Sequence, residues 1–173
     1  MRKFLLIAIL APTLITVVGL VGCDNQSPPP PPVPVARTRT PTPIPSTDEE
    51  AIRQLIFAEG ESVVQQDIDR LQGMWASDGV VTDANRTPDN PSDDKTWKGW
   101  QAIRDRYVNI VFPSNPAFAE HPEIRVTITG DTSNAISDTK IGVTNVKDND
   151  KWTFRKLTGQ WKITSLTFGA APK

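Results

Sequence analysis

Residues 47–173 are predicted to form a single α+β domain in which three helices come first and antiparallel strands follow. Two observations carry this. Apolar residues recur at helical spacing through the first half of the segment. In the second half they alternate with polar residues, between turn signals, in runs of strand length. Helices segregated from a run of hairpin-connected strands are the pattern of helices packed on one face of a sheet.

The elements follow in order. Thr47-Asp48-Glu49-Glu50 fits a capping box. Ile52, Leu55, Ile56, Glu59 and Val63 then repeat at helical spacing, predicting a first helix over about 48–65. Asp67 is placed to cap a shorter second helix carrying Ile68, Leu71 and Trp75 on one face, with Gly79 ending it. Val80 to Asp83 reads as a short strand, and Asn85 to Lys95, rich in Pro, Asn and Asp, as a loop. A third helix carries Trp100, Ile103, Tyr107, Ile110 and Val111 and stops at Pro113. Ile124, Val126 and Ile128 alternate with polar residues, and Gly130-Asp131 signals a turn. Ala135 to Val143 is a second long strand, polar at Ser137, Asp138, Thr139 and Lys140. Lys151–Leu157 and Trp161–Phe168 form a hairpin around Thr158-Gly159-Gln160.

Ahead of this domain the composition changes twice. Arg2 and Lys3 precede an uncharged run from Phe4 to Val21, the layout of an export signal. The run ends in Leu20-Val21-Gly22-Cys23, which resembles the lipobox of bacterial lipoproteins. That resemblance implies cleavage after residue 22 and lipidation of Cys23. Cys23 is the single cysteine of the chain, so it closes no internal disulfide. The expectation is a signal peptide over 1–22 and a chain exported and anchored to the cell membrane through its acylated cysteine, on the periplasmic or extracellular face. Residues 23–46 are dominated by proline, with Pro28 to Pro32 consecutive. Proline fixes φ and removes the backbone donor, so Ser27 to Ser46 reads as an extended tether, roughly 60 Å at ~3.1 Å per residue.

Composition removes several classes of function. The net charge is −1 and no basic block is present, which argues against nucleic acid as a partner. His121 is the only histidine, so no histidine-rich metal site is expected. It stands in Glu120-His121-Pro122 and reads as an exposed loop residue. Asp89, Asp93 and Asp94 lack the spacing of a calcium loop. There is no glycine-rich phosphate loop and no G-x-S-x-G elbow, and no cofactor is expected.

Three passages, in order and at matching intervals, resemble the nuclear-transport-factor-2-like superfamily. Asp67-Ile68-Asp69-Arg70-Leu71 through Met74-Trp75-Ala76-Ser77-Asp78-Gly79-Val80-Val81 is similar to its passage into the first strand. Lys98-Gly99-Trp100-Gln101-Ala102-Ile103-Arg104 resembles the start of its third helix, and Gly159-Gln160-Trp161-Lys162-Ile163 its last strand. The superfamily includes SnoaL-like polyketide cyclases, ketosteroid isomerase and scytalone dehydratase. The resemblance implies a cone-shaped domain with a pocket between sheet and helices, often a homodimer through the sheet.

It also implies candidate site residues. In the isomerase-like members the general base is a carboxylate ending the first strand, and Asp83 falls there by count from Trp75. Such a carboxylate in an apolar cavity can have its pKa raised and take a proton beside a carbonyl. The oxyanion donors of that chemistry are absent: the tyrosine's place falls near Glu59 and the second acid's near Trp152. Glu59 is the odd acid on the apolar stripe of the first helix, either facing the pocket or reaching solvent, Arg53 or Arg70. Trp97, with Trp75, Tyr107 and Phe112, would line a cavity suited to a flat apolar ligand. The leading expectation is a tethered module binding a small apolar ligand or a protein partner without catalysis. The alternatives are an isomerase, dehydratase or cyclase using Asp83 as acid–base, and a structural or dimerising domain with a filled pocket.

Overall fold

A computed structural model describes residues 44–141 and 144–171. The expected signal peptide, Cys23 and most of the proline-rich tether lie outside the described residues.

The domain is α+β, with three α-helices packed on a mixed, open sheet of seven strands among the described residues. Helix α1 spans Asp48–Gln65. Thr47 caps it, its Oγ1 accepting from the Glu50 amide at 3.1 Å. The Glu50 carboxylate reaches back one residue further than a capping box requires, to the Ser46 amide and hydroxyl. Gln66, in the left-handed region at φ 56°, ends the helix. The buried face carries Ile52, Ile56, Glu59, Gly60 and Val63, the predicted stripe with its acid included. Asp67 caps α2, Ile68–Met74, by accepting from the Arg70 amide.

The second helix is shorter than the sequence suggests. Strand β1 begins at Trp75 and runs to Asp83, so Trp75 opens the strand. The cause is a register shift between Trp75 and Val80, a bulge that hides the period-two pattern. Gly79 belongs to this bulge: a Cβ there would stand 2.8 Å from Trp75 Cε3. Strand β2, Lys95–Lys98, pairs with β1 where a loop was expected. Its four residues are too few and too polar to show alternation. Helix α3, Gly99–Arg106, gives way to a π-helical turn over Tyr107–Val111 and a short 3₁₀ turn over Phe112–Ser114.

Strands β3 (Ala119–Glu120) and β4 (Ile124–Thr129) both pair with β5, Thr132–Ile141. Strands β6 (Thr144–Leu157) and β7 (Gln160–Phe168) complete the order β2-β1-β7-β6-β5-β3, with β4 beside β3 on β5. The predicted hairpin turn is made by Thr158 and Gly159, both at positive φ. The sheet is not wholly antiparallel as expected, because β1 lies parallel to β7. The core lies between helices and sheet, around Ile52, Ile56, Leu71, Ile103, Phe154 and Ile163.

Candidate functional site

The decisive local feature is an irregularity in β5. Its pairing with β6 shifts between Ser137 and Thr139. A bulge lets consecutive residues escape the two-sided alternation of a strand, and Ser137, Asp138 and Thr139 are all buried. Asp138 is held by its own amide on the Glu123 carbonyl and by its Oδ1, which accepts from the Asp148 amide. Thr139 and the Asp138 carbonyl are thereby fixed at the edge of a cavity between α1, the π-helical turn and the strands β5, β6 and β7.

The cavity holds about 290 Å³. This lies near the lower end of small-molecule pockets, ~300–1,000 Å³. Val63, Ile110, Val111, Trp152, Leu166 and Phe168 give it an apolar wall. Its polar groups are Glu59, Arg106, Tyr107, His121, Thr139, Asn149 and Asp150, with Ser114 near them.

These groups form two connected sets. In the first, the Tyr107 hydroxyl donates to Glu59 Oε1 at 2.6 Å, with both residues buried. Burial raises the Glu59 carboxyl above its ordinary range, against the pull of that hydrogen bond and of the Arg106 charge. The Tyr107 hydroxyl is itself raised well above the usual phenol, by burial first and the Glu59 charge second. In the second set, Asp150 accepts from the Asn149 amide at 2.8 Å and from Thr139. Burial, reinforced by the Glu59 charge, pushes Asp150 up to about 7, and its hydrogen bonds and Arg106 offset only part of this.

His121 sits beside Asp150. Its Nδ1 lies 3.1 Å from the Asp138 carbonyl oxygen and 3.7 Å from Asp150 Oδ2. A carbonyl oxygen only accepts, so Nδ1 carries the proton and Nε2 the lone pair. Burial lowers the His121 pKa, which keeps the ring neutral near pH 7, so the contact with Asp150 is not an ion pair. Ser137 and Trp152 brace the ring: Trp152 Nε1 donates to Ser137 Oγ at 2.9 Å, and that oxygen lies 3.2 Å from Nδ1. The Trp152 ring meets the histidine edge-on at 5.4 Å.

Of the residues expected at the site, Glu59 and Tyr107 line the cavity. Arg53 and Arg70, the alternative partners for Glu59, bond Glu49 and Glu61 instead. Asp83 does not line the cavity. Its Oδ1 accepts from the Asn85 amide at 2.9 Å and forms the turn that follows β1. Trp75 is in the core, buried against Gly79. Trp97 is half-buried behind the wall, with Lys95 and Arg106 over its ring. Phe112 stacks on Tyr107 at 6.1 Å without reaching the cavity. His121, expected to be exposed, is 5 % exposed, because β3 and the bulge in β5 fold its loop inward. Asp150 carried no signal, since the polar run Lys147-Asp148-Asn149-Asp150 lies between the two strands the sequence predicts, in neither of them. The bulge did leave one: four polar residues in succession, Ser137 to Lys140, in an otherwise alternating strand.

No family model matches the chain, and no curated protein matches it. Solved structures do share its fold. A nuclear-transport-factor-2-like protein with a cystatin-like fold from Novosphingobium aromaticivorans aligns at a TM-score of 0.56 and 22% identity, over 69% of this chain and 79% of that one. A nuclear-transport-factor-2-like superfamily protein from Salmonella enterica aligns at 0.56 and 14% identity, over 70% and 89%. A candidate dehydratase of the same family from Streptomyces avermitilis aligns at 0.51 and 22% identity, over 72% and 96%. The domain has the nuclear-transport-factor-2-like fold. At these identities the likeness speaks of fold alone.

Proposed function

We propose that this domain binds a small, largely apolar molecule in the 290 Å³ cavity and moves a proton on it, with Asp150 as the group that takes and returns the proton. One observation carries the reading. Two buried carboxyls, Glu59 and Asp150, share one cavity with an apolar wall on one side, and Asp150 is poised at about 7. A general acid–base works best when its pKa lies near the working pH. Strongly shifted groups converging on a cavity mark functional sites more often than structural ones. His121, with its proton committed to the Asp138 carbonyl, has at Nε2 an acceptor for a hydroxyl, and the Glu59 carboxyl, when protonated, has an O–H to donate to an oxygen of the bound molecule. The candidate dehydratase among the fold relatives fits chemistry of this class. This reading takes the base from β6, in place of the Asp83 that the sequence pointed to.

The second reading is binding without turnover. It is favoured by the full hydrogen bonding of Asp150 to Asn149 and Thr139, which holds the carboxylate as a fixed recognition element. A filled, purely structural pocket is disfavoured by the open volume.

A fragment screen by ¹H–¹⁵N correlation spectroscopy tests the binding step. Shifts clustered at Glu59, Tyr107, Thr139 and Asp150 are expected, and shifts scattered elsewhere contradict it. For a bound carbonyl compound, exchange of its acidic C–H protons with D₂O tests the chemistry. Exchange that slows by ~10²-fold or more in Asp150→Asn is expected. An unchanged rate refutes proton transfer and leaves binding.

We further propose that the domain is carried as a lipoprotein at the cell envelope, anchored through Cys23 and set off the bilayer by its tether, with the sheet available for homodimerisation. The lipobox-like Leu20-Val21-Gly22-Cys23 supports the anchoring.

A further inference from the structure

Among the groups on the cavity wall, Arg106 has no role in either hydrogen-bonded set. It leaves α3 at its last residue and lines the cavity. Three aromatic rings hold its guanidinium: Phe168 at 4.5 Å, Trp97 at 5.2 Å and Tyr107 at 5.7 Å from ring centre to Cζ. Cation–π contact of this kind holds a guanidinium without using its N–H donors. Its Nε is buried, and no acceptor among the described residues meets it. The positive charge bears on both Glu59 and Asp150. Even so, neither carboxylate hydrogen-bonds to it.

We propose that Arg106 is the anchor for the bound molecule, and that the ligands of this cavity are small apolar carboxylates, whose anionic oxygens satisfy the guanidinium while their carbon skeleton lies along Val63, Val111 and Leu166. This rests on the cavity being a binding site, as proposed above, and adds the class of molecule. The geometry suits it. A planar fork of donors matches a carboxylate through two parallel hydrogen bonds, at charge-assisted strength. The cage of Phe168, Trp97 and Tyr107 sets the fork in place before the ligand arrives, which lowers the ordering cost of binding. Burial raises both acids on the wall, so each ionises less readily than a free carboxyl and opposes an anion less than a pair of exposed carboxylates would.

Three molecules of one shape test the inference on the intact domain: cyclohexanecarboxylate, cyclohexylmethanol and cyclohexylmethylammonium. Affinities come from titrations followed by ¹H–¹⁵N spectra at pH 7, in wild type and in Arg106→Gln. The carboxylate is expected to bind about tenfold tighter than the alcohol, with shifts at Tyr107, Thr139 and Asp150. Arg106→Gln is expected to remove that preference while leaving the alcohol nearly unchanged. Equal or tighter binding of the alcohol or the ammonium by wild type overturns the proposal, with cavity binding itself intact. A preference for carboxylate that survives Arg106→Gln also overturns it. Failure of all three to perturb the cavity resonances overturns it together with the binding reading. If Arg106→Gln does not fold, the ranking in wild type decides.

Discussion

Asp150 carries the most consequence of any single residue. Its carboxyl is raised from 3.8 to about 7 because burial disfavours the charged form. The folded protein therefore holds this proton to a higher pH than the unfolded chain does. The stability it contributes is fully present below pH ~4 and is lost as pH rises through about 7. The shift corresponds to at most about 4 kcal/mol. Asp150→Asn keeps the shape and removes the charge. It is expected to be more stable than wild type at pH 8 by about 2–4 kcal/mol, with the gain shrinking toward pH 4. Urea denaturation at the two pH values measures this, and a variant less stable than wild type at pH 8 contradicts it. A stabilising change at the residue proposed to do the chemistry is the trade expected of a functional site.

Tyr107 offers a second test at this scale. Its hydroxyl is the hydrogen-bond donor to Glu59, and both are buried. Tyr107→Phe leaves the glutamate without that partner, at a cost of about 1–3 kcal/mol. Because the hydrogen bond pulls the Glu59 pKa down, its loss should raise the midpoint of that carboxyl further. Carboxyl ¹³C NMR of the variant reads the change, and an unmoved or lowered midpoint argues against the pairing.

At the scale of elements, the site depends on how closely α1 lies on β3. Gly60 is where they meet: a Cβ there would stand 2.5 Å from the Ala119 carbonyl oxygen. That oxygen belongs to the backbone and cannot swing away. Gly60→Ala is expected to push the helix off the strand and to destabilise the domain by about 1–3 kcal/mol, despite the better helix propensity of alanine. Ala119 and His121 line the cavity from this segment, so the same variant should disturb the cavity resonances. A folded domain of wild-type stability with an unchanged spectrum contradicts this packing.

The same elements show what the sequence made legible. Helix α1 was readable to within a residue, because its apolar stripe and its Thr47 cap are local and periodic. The β6–β7 turn was equally legible, where Thr158-Gly159 supplies two residues at positive φ, but β6 begins at Thr144, well before the expected Lys151. What stayed hidden was every place where periodicity breaks. The bulge in β1 disguised Trp75–Gly79 as helix, and the bulge in β5 turned Ser137–Thr139 inward. The site is built at such breaks. Glu59 was visible as the acid interrupting a helical face, and Tyr107 as an aromatic on the face of the third helix. Asp150 and His121 were not, because they become neighbours only through the pairing of β3, β5 and β6.

For the molecule as a whole, the domain is an open sheet folded over three helices, and its cavity is the space the helices leave unfilled. The cage around Arg106 ties this together, joining β2 through Trp97, the turn after α3 through Tyr107, and β7 through Phe168. At this scale the anchoring proposal makes its own prediction. Expressed in a bacterium, the wild-type chain should label with a fatty acid and partition with membranes. Cys23→Ser should lose the label and keep its uncleaved apolar run, and a wild-type chain that takes up no fatty acid argues for a retained span in place of a lipid anchor.

The central claim is that two buried acids, Glu59 and Asp150, make this cavity an acid–base site. Titration of the side-chain carboxyls by ¹³C NMR tests it most directly. The pair should titrate with one step near pH 7, assigned mainly to Asp150 and absent from Asp150→Asn. A spectrum in which every carboxyl titrates below pH 5 would contradict it.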